Sequence, residues 1–206
     1  MGYFPFFIDI REKKCLIVGG GKVALRKAEK LLAFEPQITV VAPEICGELA
    51  EMNIKIERRV FRASDLLGVF MCIAATNDRA VNHRIYRLCT KRGILVNCVD
   101  DPKYCGFIFP SLVSRGDISV GISTSGSAPA FAKYLRGKTE EMLDERTMSA
   151  AAFLKNVRGK IVSGLESEAD KARAAEAIIG LFLSSETEPD ENIINELIER
   201  IKQGHG

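Results

Sequence analysis

Lys14-Cys15-Leu16-Ile17-Val18-Gly19-Gly20-Gly21-Lys22-Val23-Ala24 is the stretch whose reading decides the fold. Four apolar residues lead into three glycines, and from Val23 to Ala33 apolar side chains recur at Val23, Ala24, Ala28, Leu31 and Leu32. That order reads as strand, tight turn and helix. Gly19-x-Gly21-x-x-Ala24 fits the G-x-G-x-x-A form of the dinucleotide-binding fingerprint. Small residues serve three ends there: Gly19 turns the chain sharply, Gly21 lets backbone approach a pyrophosphate, and Ala24 lets helix pack closely on strand. N–H groups at the helix start then face the phosphates, which makes Gly19, Gly20, Gly21, Lys22, Val23 and Ala24 candidate cofactor contacts. The structural alternative is a loop that only needs positive φ angles, but the strand before it and the helix after it favour the dinucleotide reading.

Outward from this turn the pattern repeats. Ile38–Val41 is a compact β-branched run of the kind buried in parallel sheets, closed by Pro43. A dinucleotide fold often carries an acid at this point to hold the adenosine ribose. Here Val41-Ala42-Pro43 occupies the spot, so Pro43 becomes the candidate contact, and the residues themselves do not choose between NAD and NADP. Residues 53–57 alternate as a half-exposed strand, and Val69–Ala75 is a fully apolar one that runs into Thr76-Asn77-Asp78. Thr76 and Asn77 are candidate cofactor contacts, since the carboxyl ends of buried strands are where doubly wound folds bind ligands. Asp78 also suits the N-cap of a helix over 79–92. A fifth strand, Ile94–Val99, delivers Asn97, Asp100 and Asp101 to the same rim. Strands alternating with helices predict an α/β fold with a Rossmann-like parallel sheet and right-handed crossovers. Tyr3–Ile10 reads as an additional edge strand, with Pro5 tolerated there.

Beyond Pro102 come short alternating runs at 106–110, 111–115 and 117–123, read as two or three strands that extend the sheet or cross to a partner. Ser123-Thr124-Ser125-Gly126-Ser127-Ala128-Pro129 precedes a helix over 130–143 and suits either an anion-binding loop or an ordinary helix cap. Residues 150–162, 169–183 and 191–201 have helical spacing in an Ala- and Glu-rich tail with no catalytic pattern. The expected organisation is a Rossmann-like domain over 1–112, a small mixed dimerisation segment over 113–145 and a helical domain over 146–206.

Composition excludes several classes. The 206 residues are 47% hydrophobic and 27% charged, which suits a normal core and argues against disorder. A net charge of +2 is too small to favour nucleic acid or an anionic membrane. No apolar run approaches the roughly 20 residues that span a bilayer. The first ten residues lack a basic region and a small-residue cleavage site, so a cytoplasmic location is expected. Six scattered cysteines without a C-x-x-C pair read as buried hydrophobes in a reducing compartment, and no metal site is expected. The two histidines are read as a helix-surface residue, His83, and a frayed tail residue, His205.

Four motifs in order carry a resemblance: Cys15–Ala24 with Arg26-Lys27-Ala28, then Ala74-Ala75-Thr76-Asn77-Asp78, then Val96–Pro102 with Phe107–Ser111, then Ser123–Pro129. Together they resemble precorrin-2 dehydrogenases, the dehydrogenase and ferrochelatase module of siroheme synthases, over about residues 4–145. The resemblance implies NAD-dependent oxidation of precorrin-2 to sirohydrochlorin in siroheme biosynthesis, and in some members insertion of ferrous iron. It places the catalytic aspartate at Asp100 and substrate contacts at Asn97, Ser123, Thr124, Ser125 and Gly126. It further implies a stand-alone homodimer with an intertwined middle segment and a tetrapyrrole cleft near the interface. Bottom-up, a carboxylate beside the nicotinamide would serve as a base. On the residues alone, the reading that comes first is that Asp100 and Asp101 both cap the turn before Pro102. Arg115, Lys133, Arg136 and Lys138 are basic candidates for an octacarboxylate substrate. A competing reading of a different class is a non-catalytic dinucleotide-binding redox sensor, which needs neither Asp100 nor the 123–129 loop.

Overall fold

Short runs of Val, Ile, Leu and Cys with no polar alternation form strands only where both faces are covered. The computed structural model, which describes residues 3–185 and 187–204, places five such runs side by side. These are β1 (Lys14–Val18), β2 (Gln37–Val41), β3 (Lys55–Glu57), β4 (Met71–Ala74) and β5 (Leu95–Cys98). All pair in parallel in the order β3-β2-β1-β4-β5. The chain winds outward from β1 in one direction and from β4 in the other, so the carboxyl ends of these two neighbours form a topological switch point. Register aligns Val18 with Ala74 and Ala74 with Cys98, bringing the residues that follow β1, β4 and β5 onto one rim.

α1 (Lys22–Leu32) buries Ala24, Leu25, Ala28 and Leu31 against Ile17, Val40 and Ile73 on one face of the sheet. α3 (Arg79–Lys91) buries Ile85 and Cys89 against Leu16, Val18, Cys72 and Ala74 on the other. A four-residue helix, α2 (Gly47–Ala50), follows β2. Between β3 and β4 the crossover is reduced to a single 3-10 turn over Ala63–Leu66. That turn is anchored by Asp65, which accepts from Arg59 at 2.8 and 2.9 Å and from the Arg62 amide at 2.8 Å.

Two expectations are corrected here. Tyr3–Ile10 forms no strand: its backbone joins no ladder, and Phe4, Phe6 and Phe7 stand 82%, 64% and 81% exposed while Ile10 alone enters the core. Pro5 lacks a donor, and β3 and β5 remain the sheet's edges. Residues 106–110 are likewise not a strand. They are pinned to β5 by Gly106 N–H donating to the Val96 carbonyl at 2.8 Å and by the Asn97 side chain, with Pro110 ending the segment.

The chain divides into two compact units after Phe109. In the second, β6 (Ser111–Arg115) and β7 (Ile118–Ile122) form an antiparallel hairpin of their own and do not extend the parallel sheet. Four helices follow: α4 (Pro129–Met142), α5 (Glu145–Gly164), α6 (Glu168–Ser184) and α7 (Glu191–Lys202). The last three each start on a side-chain cap, respectively Asp144, Ser167 and Asp190. They enclose a core of Phe153, Ile161, Ala174, Ile178, Phe182, Ile194 and Ile198. Among the described residues no helix is long and apolar enough to cross a membrane.

Candidate functional site on the carboxyl rim of the sheet

The three glycines of the first turn are small for different reasons. Gly19 has φ +125°, and a Cβ there would stand 2.2 Å from the Ala75 carbonyl oxygen, so the turn demands glycine twice over. At Gly20 a Cβ would lie 1.9 Å from the Glu44 carbonyl oxygen, while the Gly20 carbonyl itself accepts from Cys46 N–H at 2.8 Å. Gly21 is the opposite case: a Cβ would meet nothing within 4 Å. The space in front of Gly21 opens at the start of α1, which has no side-chain cap and no acid in its first turn. Uncapped amides at a helix N-terminus favour an anion, and the absence of a side chain at Gly21 lets a phosphate approach the backbone. These features fit a dinucleotide pyrophosphate. Lys22 and Val23 are exposed at this opening, whereas Ala24 is buried against the sheet. At the end of β2, Ala42 is buried and Pro43 and Glu44 are exposed.

After β4 the rim is fixed by a residue that spacing did not reveal. Asn82 on α3 is fully buried, accepts from Thr76 N–H at 3.2 Å and from its hydroxyl at 2.8 Å, and donates to the Thr76 carbonyl at 3.0 Å. Asp78 caps α3, as expected, by accepting from Ala80 and Val81 amides at 2.8 and 3.3 Å. Asn77 is left exposed between them. A poor helix former in the fourth position after the cap was the available signal for Asn82.

After β5 the two neighbouring aspartates part company. Asp101 accepts from Lys103 N–H at 2.9 Å and caps the 3-10 turn over 102–104. Asp100 caps nothing. Both of its carboxylate oxygens are screened from solvent, and no hydrogen-bond donor reaches them. The nearest cation is Arg79 at the start of α3, with Nε 3.9 Å from Oδ2. Asn97 is buried, and its amide donates inward to the Phe107 carbonyl at 3.0 Å and toward Cys105 Sγ at 3.4 Å. It ties the 105–107 segment to β5.

Neither nearby thiol is poised as a nucleophile. Burial pushes Cys98 up to about 12 and raises Cys105 as well, while Cys105 donates to the Cys98 carbonyl at 3.1 Å. Burial, aided by Lys30, lowers Lys27 to about 8, and its ammonium sits 3.7 Å from the centre of the Phe109 ring. His83 is half-buried, its ring tilted 45° against that of Tyr104 at 4.0 Å with Nε2 lacking a hydrogen-bond partner, which differs from the open helix surface expected for it. His205 lies outside the described residues. Among the described residues no three His, Cys, Asp or Glu side chains are grouped to hold a metal ion.

The second unit carries the serine loop. Ser123 Oγ accepts from Ser125 N–H at 3.1 Å, Thr124 Oγ1 accepts from Ala128 N–H at 3.3 Å, and the Ser127 hydroxyl donates to the Thr124 carbonyl at 2.6 Å. Ser125 and Gly126 have φ of +53° and +82°, a left-handed pair that turns the chain into α4. Of the basic candidates, Arg115 donates to the Leu143 carbonyl, and Arg136 and Lys138 pair with Glu140 and Glu141 at 2.7 and 2.8 Å. Lys133 is exposed on α4.

Comparison with known proteins agrees with this construction. Residues 6–111, just over half the chain, match a family described as "Putative NAD(P)-binding". A siroheme synthase of Thioalkalivibrio sulfidiphilus is 41% identical over 165 residues, covering 78% of this chain and 34% of that protein. One from Photorhabdus laumondii is 39% identical over 171 residues, covering 81% and 36%. The chain thus spans about a third of the length of the curated relatives it matches. Among solved structures, SirC, a precorrin-2 dehydrogenase, is similar over 98% of this chain and 100% of its own, with 28% identity and a TM-score of 0.74.

Proposed function

Because this chain belongs to the NAD(P)-binding family, we propose that it oxidises precorrin-2 to sirohydrochlorin with NAD in siroheme biosynthesis. The observation that carries the proposal is Asp100, a carboxylate with no internal task on the rim that also bears the glycine turn. A carboxylate that neither caps nor pairs tightly is costly unless it is used. The whole-length similarity to SirC supports the same reading.

Bound NAD supplies the hydride acceptor. Gly19, Gly20, Gly21, Lys22, Val23 and Ala24 would hold its pyrophosphate, and Pro43, Thr76 and Asn77 would make further contacts to the cofactor. Asp100 takes the proton that the substrate loses as the hydride departs. Asn97 shapes the floor beneath Asp100, and Ser123, Thr124, Ser125 and Gly126 bind the tetrapyrrole. Within this reading residues 1–112, 113–145 and 146–206 act as cofactor domain, dimerisation segment and helical domain. The protein works as a cytoplasmic homodimer. The support for self-association is the apolar 3–8 stretch, which the single chain leaves open to water.

Ferrous iron insertion is the second reading, favoured by Asp100 and His83, whose buried carboxylate oxygens and Nε2 have no hydrogen-bond partner. A spectrophotometric assay with precorrin-2 generated in place separates the readings. NAD-dependent appearance of the sirohydrochlorin spectrum is expected, and a further change on adding ferrous iron, above the uncatalysed rate, marks the chelatase. Binding of NAD with neither change overturns the enzyme reading in favour of a redox sensor.

A further inference from the structure

We infer that Arg79 is the positioning residue for Asp100, holding that carboxylate aimed until the substrate proton reaches it. The inference rests on the reading of Asp100 as the base. Three observations lead to it. Asp100 keeps both oxygens out of water without a donor, so no hydrogen bond fixes the direction in which the carboxylate points. Arg79 places Nε 3.9 Å from Oδ2, within ion-pair reach but beyond hydrogen-bond length, so the contact offsets charge without occupying the lone pairs. Arg79 is also held at one end and free at the other. Its backbone is the first residue of α3, fixed by the Asp78 cap, while its side chain is 81% exposed and has no other ion-pair partner among the described residues.

Among the described residues no other cation stands within ion-pair distance of Asp100. Asp101 is spent on its cap, Cys98 and Cys105 stay as thiols, and Lys103 follows in the 3-10 turn. In the reaction a substrate C–H bond breaks with its electron pair, which leaves as hydride for the dinucleotide, and a second bond to hydrogen breaks as Asp100 accepts the proton. The substrate loses two electrons and the dinucleotide gains them. As Asp100 becomes neutral its attraction for the guanidinium ends, so Arg79 releases it and the proton passes to solvent. A tightly hydrogen-bonded arginine would keep the lone pairs engaged and slow that transfer.

The test uses the full chain, with NAD and precorrin-2 generated in place, and compares Arg79→Ala, Arg79→Lys and Asp100→Asn. Arg79→Ala is expected to lower kcat by about tenfold or more with KM and NAD affinity within about twofold, because the interaction matters at the proton-transfer step. Arg79→Lys should recover most of the rate, and added guanidinium ion should partly rescue Arg79→Ala. A rise in KM at unchanged kcat would assign Arg79 to holding substrate and overturn the inference, as would full activity in Arg79→Ala. Asp100→Asn separates the two levels: if it is inactive while Arg79→Ala is fully active, only the inference fails. If Asp100→Asn turns over normally, the base reading falls and the inference with it.

Discussion

Asn82 holds Thr76 by three hydrogen bonds, meeting its amide, its hydroxyl and its carbonyl with one buried side chain. The junction between β4 and α3 is therefore not a flexible loop but a corner clamped from the helix side. Asn82→Ala should destabilise the protein by about 1–3 kcal/mol, because it strands buried polar groups of Thr76. Asn82→Asp should cost at least as much, since it loses the donor to the Thr76 carbonyl and buries a charge. Denaturant titration reads both. Wild-type stability in Asn82→Ala would refute the clamp.

Gly20 and Gly21 predict opposite phenotypes from the same substitution. Gly20→Ala drives a methyl into the Glu44 carbonyl and should cost about 1–3 kcal/mol or prevent folding. Gly21→Ala meets open space and should keep stability within about 0.5 kcal/mol while weakening NAD binding. Thermal melts and calorimetric titration with NAD distinguish them, and equal effects of the two would show that the opening at Gly21 is not the cofactor's.

Asp100→Asn is expected to lower kcat by about 10²–10⁴-fold, the usual contribution of a general base, with NAD affinity and melting temperature preserved. The same change at Asp101 should spare turnover and loosen only the turn over 102–104. Steady-state kinetics on both variants decides, and the reverse order of severity would move the base to Asp101.

Lys27 imposes a pH dependence of its own. Burial lowers its ammonium from the ordinary 10.5 to about 8, so the unfolded chain binds the proton more readily than the folded one. The penalty is fully present below about pH 8 and fades as pH rises toward 10.5. Stability of the wild type relative to Lys27→Met should therefore increase over that window. A difference that stays flat with pH would place Lys27 in water.

Much of this was legible in the sequence because the first unit obeys local rules. β1 and β4 are buried on both faces and so appear as near-continuous apolar runs, and the glycines mark the tight turn that leads into α1. Asp78 announced its cap by position alone. What stayed hidden depends on partners distant in the chain. The pairing of Asn82 with Thr76, the burial of Lys27 over Phe109 and the approach of Arg79 to Asp100 arise only once α1, α3 and β5 are packed. Tyr3–Ile10 misled because strand-like residues still need an edge to receive them. Asp100 and Asp101, adjacent and chemically identical, divided their roles by backbone geometry that no spacing rule encodes.

The private caps of α5, α6 and α7 have a kinetic consequence. Each helix begins on its own Asp or Ser, and each packs on a neighbour in sequence, so this region closes mainly through short loops. β1, by contrast, must find β4 across the whole of α1, β2 and β3, pairing Cys15 with Met71. Helical amides of 145–202 should accordingly gain protection ahead of the strand amides in pulse-labelled refolding, leaving the cofactor rim as the last part of the first unit to mature.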